Sequence, residues 1–132
     1  MRQVIFEKAK FLQHIQATLG EINEGYCSIE LPIQDFHLQQ DGFVHAGVQA
    51  TIADHACGIA ASTVMPEGKV PLSIEFKVNM LRPAVGEKLV AIGTVLKAGK
   101  IIVVTEGEVW TCSGEEKKLT AKMQATMAVV EL

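Results

Sequence analysis

Aromatic side chains and basic runs are both scarce in this chain of 132 residues. Phe, Tyr and Trp make up 5% of it, the net charge is −3, and no segment alternates basic with aromatic residues. Nucleic acid needs a positive footprint and stacking surfaces, so it is not an expected partner. Cysteine is sparse too: Cys27, Cys57 and Cys112 lie far apart, are odd in number and include no CxxC pair. That pattern excludes a disulfide framework and a thiolate zinc site, and it points to thiols in a reducing compartment. No run reaches the roughly 18 apolar residues of a membrane span, because Gln49, Asp54 and His55 break the best candidate. Residues 1–8 lack the apolar core and cleavage site of a secretory leader. The cytoplasm is the expected location, and a membrane is not an expected partner. Ser62 and Ser113 sit in no Gly-x-Ser-x-Gly elbow. His14 and His37 carry no pattern, and His45 and His55 lack helical metal-ligand spacing, so neither a metal nor a cofactor is expected.

Hydrophobic residues at 48% and charged residues at 20% fit an ordinary globular chain. Without a repeat, linker or low-complexity tract, the expectation is a single domain over 1–132. Val4, Ile5, Ala9, Phe11, Leu12, Ile15 and Leu19 form a helical stripe, predicting a helix over about 4–19 that stops at Gly20. Residues 26–31 alternate as a strand that ends at Pro32. The segment 34–43 has no period and reads as a loop. Residues 47–65 are apolar nearly all round, the mark of a buried helix, and Pro66-Glu67-Gly68 ends it.

Beyond that turn the period changes to two. Ile74, Phe76, Val78 and Met80 alternate with Ser73, Glu75, Lys77 and Asn79. Further strands are expected over 88–96 and 101–111, and in a last segment with Leu119, Ala121, Met123, Ala125, Met127 and Val129 on one side. Ala98-Gly99-Lys100 and residues 113–116 read as the turns between them. Short turns imply antiparallel pairing, so the expected architecture is α+β, one long antiparallel sheet wrapped around one central helix. Val90, Ile92, Ile101 and Val103 put apolar residues on both faces of the later strands, which predicts an oligomer.

Asp54 falls inside the apolar helical stretch, about two turns past its start. The first turn of a helix favours an acid, but the second does not. A carboxylate held there either reaches water or a neighbouring loop, or serves chemistry.

These residues resemble hotdog-fold acyl-CoA thioesterases of the PaaI-like, phenylacetate-pathway type. The likeness rests on Gln39-Gln40-Asp41-Gly42-Phe43-Val44-His45-Ala46-Gly47, with Asp54 nine residues after the histidine, and on 72–84 with its terminal Arg82-Pro83-Ala84. It spans about 25–130. The resemblance implies hydrolysis of an acyl-CoA to free acid and CoA, with Asp54 as general base or nucleophile. Gln39 would orient water or the carboxylate, and Ser73 would position the water. Ala46 stands where the family has a glycine whose N–H polarises the thioester carbonyl; that N–H survives, and the added methyl narrows the pocket. His45 and Gly47 would border the substrate; the position of His45 just before a helix suits anchoring its loop by hydrogen bonds, with a role as base the alternative. Apart from the resemblance, Gly99 and Lys100, with Lys97 and Arg82, are candidates to meet the CoA phosphates, the alternative being that these turn lysines are merely solvated. The family also implies a site built at a dimer interface, in a homodimer or a homotetramer made as a dimer of dimers.

The same pattern leaves the acyl group open, aromatic or medium-chain. A non-catalytic acyl-CoA-binding hotdog protein is the alternative, although binding alone does not need the acid at position 54. A hotdog hydratase would want a different His/Asp segment.

Overall fold

The computed structural model describes residues 2–131, with side chains from Ile5 onward; Val4, the first member of the predicted stripe, lies outside those described side chains. The chain runs through helices α1 (Arg2–Glu7) and α2 (Lys10–His14) and strands β1 (Thr18–Asn23) and β2 (Tyr26–Pro32). It continues through helix α3 (Ala46–Ser62) and strands β3 (Lys69–Met80), β4 (Lys88–Ala98), β5 (Ile102–Ser113) and β6 (Glu116–Glu131). The six strands form one antiparallel sheet in the order β1-β2-β4-β5-β6-β3. α3 packs against this sheet, touching β2, β4, β5, β6 and β3. The α+β expectation of one sheet around one helix is what forms.

The single helix expected over 4–19 does not form. The chain breaks after Glu7, and α2 ends where Gln16 adopts φ 66°. There the Ala17 N–H donates to Leu12 O and the Gln16 N–H to Gln13 O, each at 3.0 Å. This is a left-handed helix ending that satisfies the last carbonyls, built here without glycine. Gly20, expected to be the stop, instead lies within β1. A Cβ on it would come within 2.3 Å of Ser28 Oγ, which accepts the Glu21 N–H at 2.8 Å.

α3 presses close to the sheet because its inward residues are small: Ala53, Ala56, Cys57 and Ala60 are all buried. Opposite them Gly93 leaves room, since a Cβ there would lie 2.4 Å from the Ala56 carbonyl carbon. Ile29, Leu31, Leu89, Val109 and Met123 complete the core. Burial pushes the Cys27 thiol up to about 12 and the Cys57 thiol up to about 11, so both stay protonated and unreactive.

One expectation about surfaces changes. α3 is not wrapped on every side, because Gly47 is exposed and Thr51, Asp54, His55 and Gly58 are only half-buried. On the outer sheet face the half-buried Val90 and Ile92 of β4 share the surface with charge, since Lys122 lies 3.3 Å from Glu106 and 3.1 Å from Glu108 there. Exposed apolar surface gathers instead on β3, where Leu72 is 63%, Ile74 56% and Phe76 43% exposed. No helix among the described residues is long and apolar enough to cross a membrane. Among them no group of three or more His, Cys, Asp or Glu could hold a metal.

Candidate active site

α3 carries Asp54 on its outer side, turned towards β3. The carboxylate is half-buried rather than deeply buried, and its Oδ1 accepts a hydrogen bond from Ser73 Oγ at 2.7 Å. Strict alternation would place Ser73 on the face of β3 opposite Phe76. The pairing explains why it does not: Ser73 pairs with Met127, but Glu75 pairs with Thr126, so Ile74 is an extra residue. Such a bulge shifts the side-chain alternation by one. Before it Ser73 faces α3; after it Phe76 does, lining a groove with Asp54. Glu75 falls on the other side and accepts from Thr126 Oγ1 at 2.6 Å.

His55 follows Asp54 around the helix. Its ring stands edge-on to Phe6 of α1, with centroids 5.9 Å apart. His55 Nε2 is buried and meets no hydrogen-bond partner among the described residues. Desolvation lowers the pKa of this histidine below its ordinary value, and Asp54 opposes that shift.

A second cluster sits at the start of α3. His45 caps the helix, its Nδ1 accepting the Gly47 N–H at 2.8 Å. The contact ties the ring to the start of its own helix. Its loop is held by Val44 N–H donating to Ala84 O at 3.0 Å and His45 N–H donating to His37 O at 2.9 Å. His37, which the sequence pattern leaves without a role, is buried and ties that loop to the end of α2: its Nε2 lies 2.7 Å from Ile15 O. The Val48 N–H donates to His45 O at 3.0 Å, whereas the Ala46 N–H meets no acceptor among the described residues.

Gln39 Oε1 accepts from the N–H groups of Asp41 and Phe43, so the amide first braces its own loop and keeps Nε2 as a donor. A cavity of about 510 Å³ opens here, lined by Gln39, His45, Ala46, Gln49, Met80 and Arg82. Gln49, which sequence reasoning passed over, is buried in its wall and accepts from Thr120 Oγ1 at 2.8 Å. Nothing in its neighbours singled it out. Arg82 Nη1 donates to Leu119 O at 2.8 Å.

Within one chain the two clusters do not meet. Eight helical residues separate Ala46 from Asp54, about 12 Å along the axis. Seven strand residues separate Ser73 from Met80, roughly 20 Å. The register links Ser73 through Met127 and Val103 to Ala98, so the Gly99–Lys100 hairpin lies at the Ser73 end of the sheet. Gly99 N–H closes that hairpin on Ile102 O at 2.8 Å. Arg82 lies at the opposite end, so one chain does not gather Arg82, Gly99 and Lys100 around one phosphate group.

A sequence profile described as the Thioesterase superfamily matches residues 41–118, which include Ala46, Asp54 and Ser73. A thioesterase family protein from Silicibacter pomeroyi is 30% identical, with a TM-score of 0.96 over 99% of this chain and 96% of that one. The PaaI protein of the E. coli phenylacetic acid degradation operon is 18% identical and shares the fold, with a TM-score of 0.86 over 97% and 89% of the two chains. The 1,4-dihydroxy-2-naphthoyl-CoA hydrolase of Listeria monocytogenes is 24% identical over 87% of this chain and 94% of its own. With more than half of its length inside the profile, and a half-buried acid on the central helix of the matching hotdog fold, the chain belongs to the thioesterase superfamily and is a thioester hydrolase.

Proposed function

We propose that the protein hydrolyses an acyl-CoA thioester at a site shared between two copies of the chain. The observation that carries this reading is the separation of the Ala46 N–H from Asp54. Thioester hydrolysis needs a base or nucleophile and a donor for the charge developing on the carbonyl oxygen, both within about 3 Å of the reacting group. A spacing of about 12 Å along one helix forbids that within one copy.

Two-fold, antiparallel pairing of the open β3 edges removes the difficulty. It brings the Ser73 end of one copy against the Met80 end of the other, and so Asp54 towards the second copy's Ala46 and Gln39. Leu72, Ile74 and Phe76 supply the apolar surface for such pairing. A second such contact would give a dimer of dimers.

At the assembled site, Ser73 donates to Asp54 Oδ1 and leaves Oδ2 free. Oδ2 then takes a proton from water as that water attacks the carbonyl carbon, or attacks the carbon itself. Negative charge passes to the carbonyl oxygen, where the free Ala46 N–H and the positive end of α3 stabilise it. Gln39 Nε2 is placed to hold the water or the carboxylate. The C–S bond breaks, the thiolate of CoA leaves and takes up a proton, and one water is consumed for each acid released. Antiparallel pairing also puts one copy's Lys100 hairpin and the other copy's Arg82 at the same end, where CoA phosphates would meet them. The CoA thioester named for the Listeria relative supports CoA as the leaving group.

Subunit complementation tests the reading. Asp54→Asn removes the base, and Ala46→Pro removes the N–H. Proline is tolerated at the first helical position, and His45 already has the extended ψ of 136° that precedes proline. Each variant alone is expected to lose at least a hundredfold in kcat. Random mixing makes half the dimers hybrid, each with one intact site of two, so about a quarter of the activity should return. A mixture that regains nothing would sink the shared site, and a wild type that binds acyl-CoA without cleaving it would sink hydrolysis.

A further inference from the structure

Gly58 lies one helical turn beyond Asp54, well inside α3. Glycine weakens a helix interior relative to alanine, so a reason is needed for its place there. Close packing is not the reason: a Cβ on Gly58 would meet no atom within 4 Å, in contrast to Gly93. The space over Gly58 is a groove of about 390 Å³ between α1, α3 and the start of β3, with Asp54 and Ser73 among its lining. Its remaining walls include Ile5, Ile59, Val70, Pro71, Leu72 and Val130, all aliphatic. The groove falls in the size range of small-molecule sites.

We infer that this groove receives the acyl chain of the substrate, that the chain is aliphatic and of medium length, and that Gly58 sets its depth. The inference rests on the thioesterase reading, which puts the carbonyl carbon beside Asp54. From that point the groove passes Gly58 in the direction in which α3 leads away from the carboxylate. Branched aliphatic walls from α1, α3, β3 and β6 suit a flexible hydrocarbon. The one ring in the lining, His55, is engaged edge-on by Phe6 with its Nε2 buried, and the polar groups Asp54 and Ser73 sit together at the reacting end; the exposed Lys8 is the only other charged side chain of the lining. A side chain at position 58 would occupy the space that the chain's middle carbons need.

The test uses the full-length protein, Gly58→Ala and Gly58→Leu, with two readouts. One is kcat/KM over acetyl- to dodecanoyl-CoA and benzoyl-CoA; the other is calorimetric binding of decanoate, which has no thioester to cleave. Wild-type kcat/KM should rise about fourfold per methylene until the groove is full. Gly58→Leu should lower the decanoyl-to-butanoyl ratio at least tenfold and weaken decanoate binding by a similar factor. Gly58→Ala should fall between them, and it decides the matter if the leucine variant does not fold. An unchanged ratio with unchanged decanoate binding in a folded variant overturns the groove assignment, as does a wild-type preference for benzoyl-CoA over every aliphatic substrate. Decanoate binding that Gly58→Leu abolishes, in a protein that cleaves no acyl-CoA, supports the groove and rejects the catalytic reading instead.

Discussion

Strand β1 closes one edge of the sheet with six residues, a bulge against β2, and Glu21 and Asn23 in water. β3 closes the other edge with twelve residues and leaves Leu72, Ile74 and Phe76 exposed. A short, polar, bulged edge resists further pairing, whereas a long apolar one invites it. Both edges contain a bulge, yet the two irregularities act differently. At β1 the bulge goes with Gly20 and lets the Ser28 hydroxyl take up a strand N–H. At β3 it leaves most of the strand regular and turns Ser73 towards Asp54. Identical sheet chemistry thus ends in a short polar edge on one side and, on the other, in a long edge with exposed apolar side chains beside a half-buried carboxylate.

Matched charge insertions should break this contrast most visibly. Ile74→Lys places a charge on the open edge at a residue outside the two grooves that Asp54 lines. If the site is shared through β3, this variant should become monomeric by light scattering and lose at least a hundredfold in kcat/KM. Glu21→Lys on β1 should keep both assembly and activity within about twofold, as surface substitutions usually do. A fully active Ile74→Lys monomer would dissolve the link between the open edge and catalysis.

A smaller effect is expected at the positioning groups. Ser73→Ala removes the one side-chain hydrogen bond that Asp54 Oδ1 accepts among the described residues, and Gln39→Ala removes a loop brace together with a candidate donor. Losing one such bond costs about 1–3 kcal/mol, or roughly one to two powers of ten in kcat. Each variant should therefore stay more active than Asp54→Asn. Steady-state kinetics at saturating substrate measure it, and a Ser73→Ala enzyme with wild-type kcat would make that serine a structural residue only.

Legibility in the sequence follows the same division. Where one local period ran unbroken, the elements were readable: β2, α3 and the four later strands all form close to their expected bounds. The failure lies in residues 4–19, where a helical stripe continues across a left-handed turn at Gln16. Glutamine gives no sign of such a turn, so β1 was invisible. In the site, the family pattern picked out Asp54, Ser73 and the start of α3 together. Period-two reasoning still put Ser73 on the wrong face, because a bulge is a property of pairing with β6 rather than of β3 alone. The groove over Gly58 was unreadable for a related reason: four elements distant in sequence build it. Arg82 with Gly99 and Lys100 shows another limit of one chain's sequence: the three lie at opposite ends of one sheet, and only pairing of two copies would bring them to the same end.

The weakest expected effect separates the cover over α3 from the open edge. His55 packs under Phe6 of α1, with its Nε2 buried and unpartnered. Its pKa is lowered from 6.5, chiefly by desolvation, while Asp54 partly offsets the shift. In the unfolded chain this histidine should titrate near 6.5. Below that pH the unfolded state binds the proton more readily than the folded one, so stability falls as pH drops through 6.5 towards the lowered folded value. Above about pH 7 both states are neutral here, and the contribution is flat. The slope should be a fraction of the roughly 1.4 kcal/mol per pH unit that one fully coupled proton gives. Because the strain falls between His55 and α1, hydrogen-exchange protection factors, referred to the slower intrinsic exchange at lower pH, should fall in residues 5–14 at pH 5.5 while those of β3 hold. His55→Gln, which cannot take up the proton, should remove that difference between pH 5.5 and pH 7.5. Equal acid-induced exposure of α1 and β3, or a response that persists in His55→Gln, would mean that the acid sensitivity lies elsewhere and that the two regions open together.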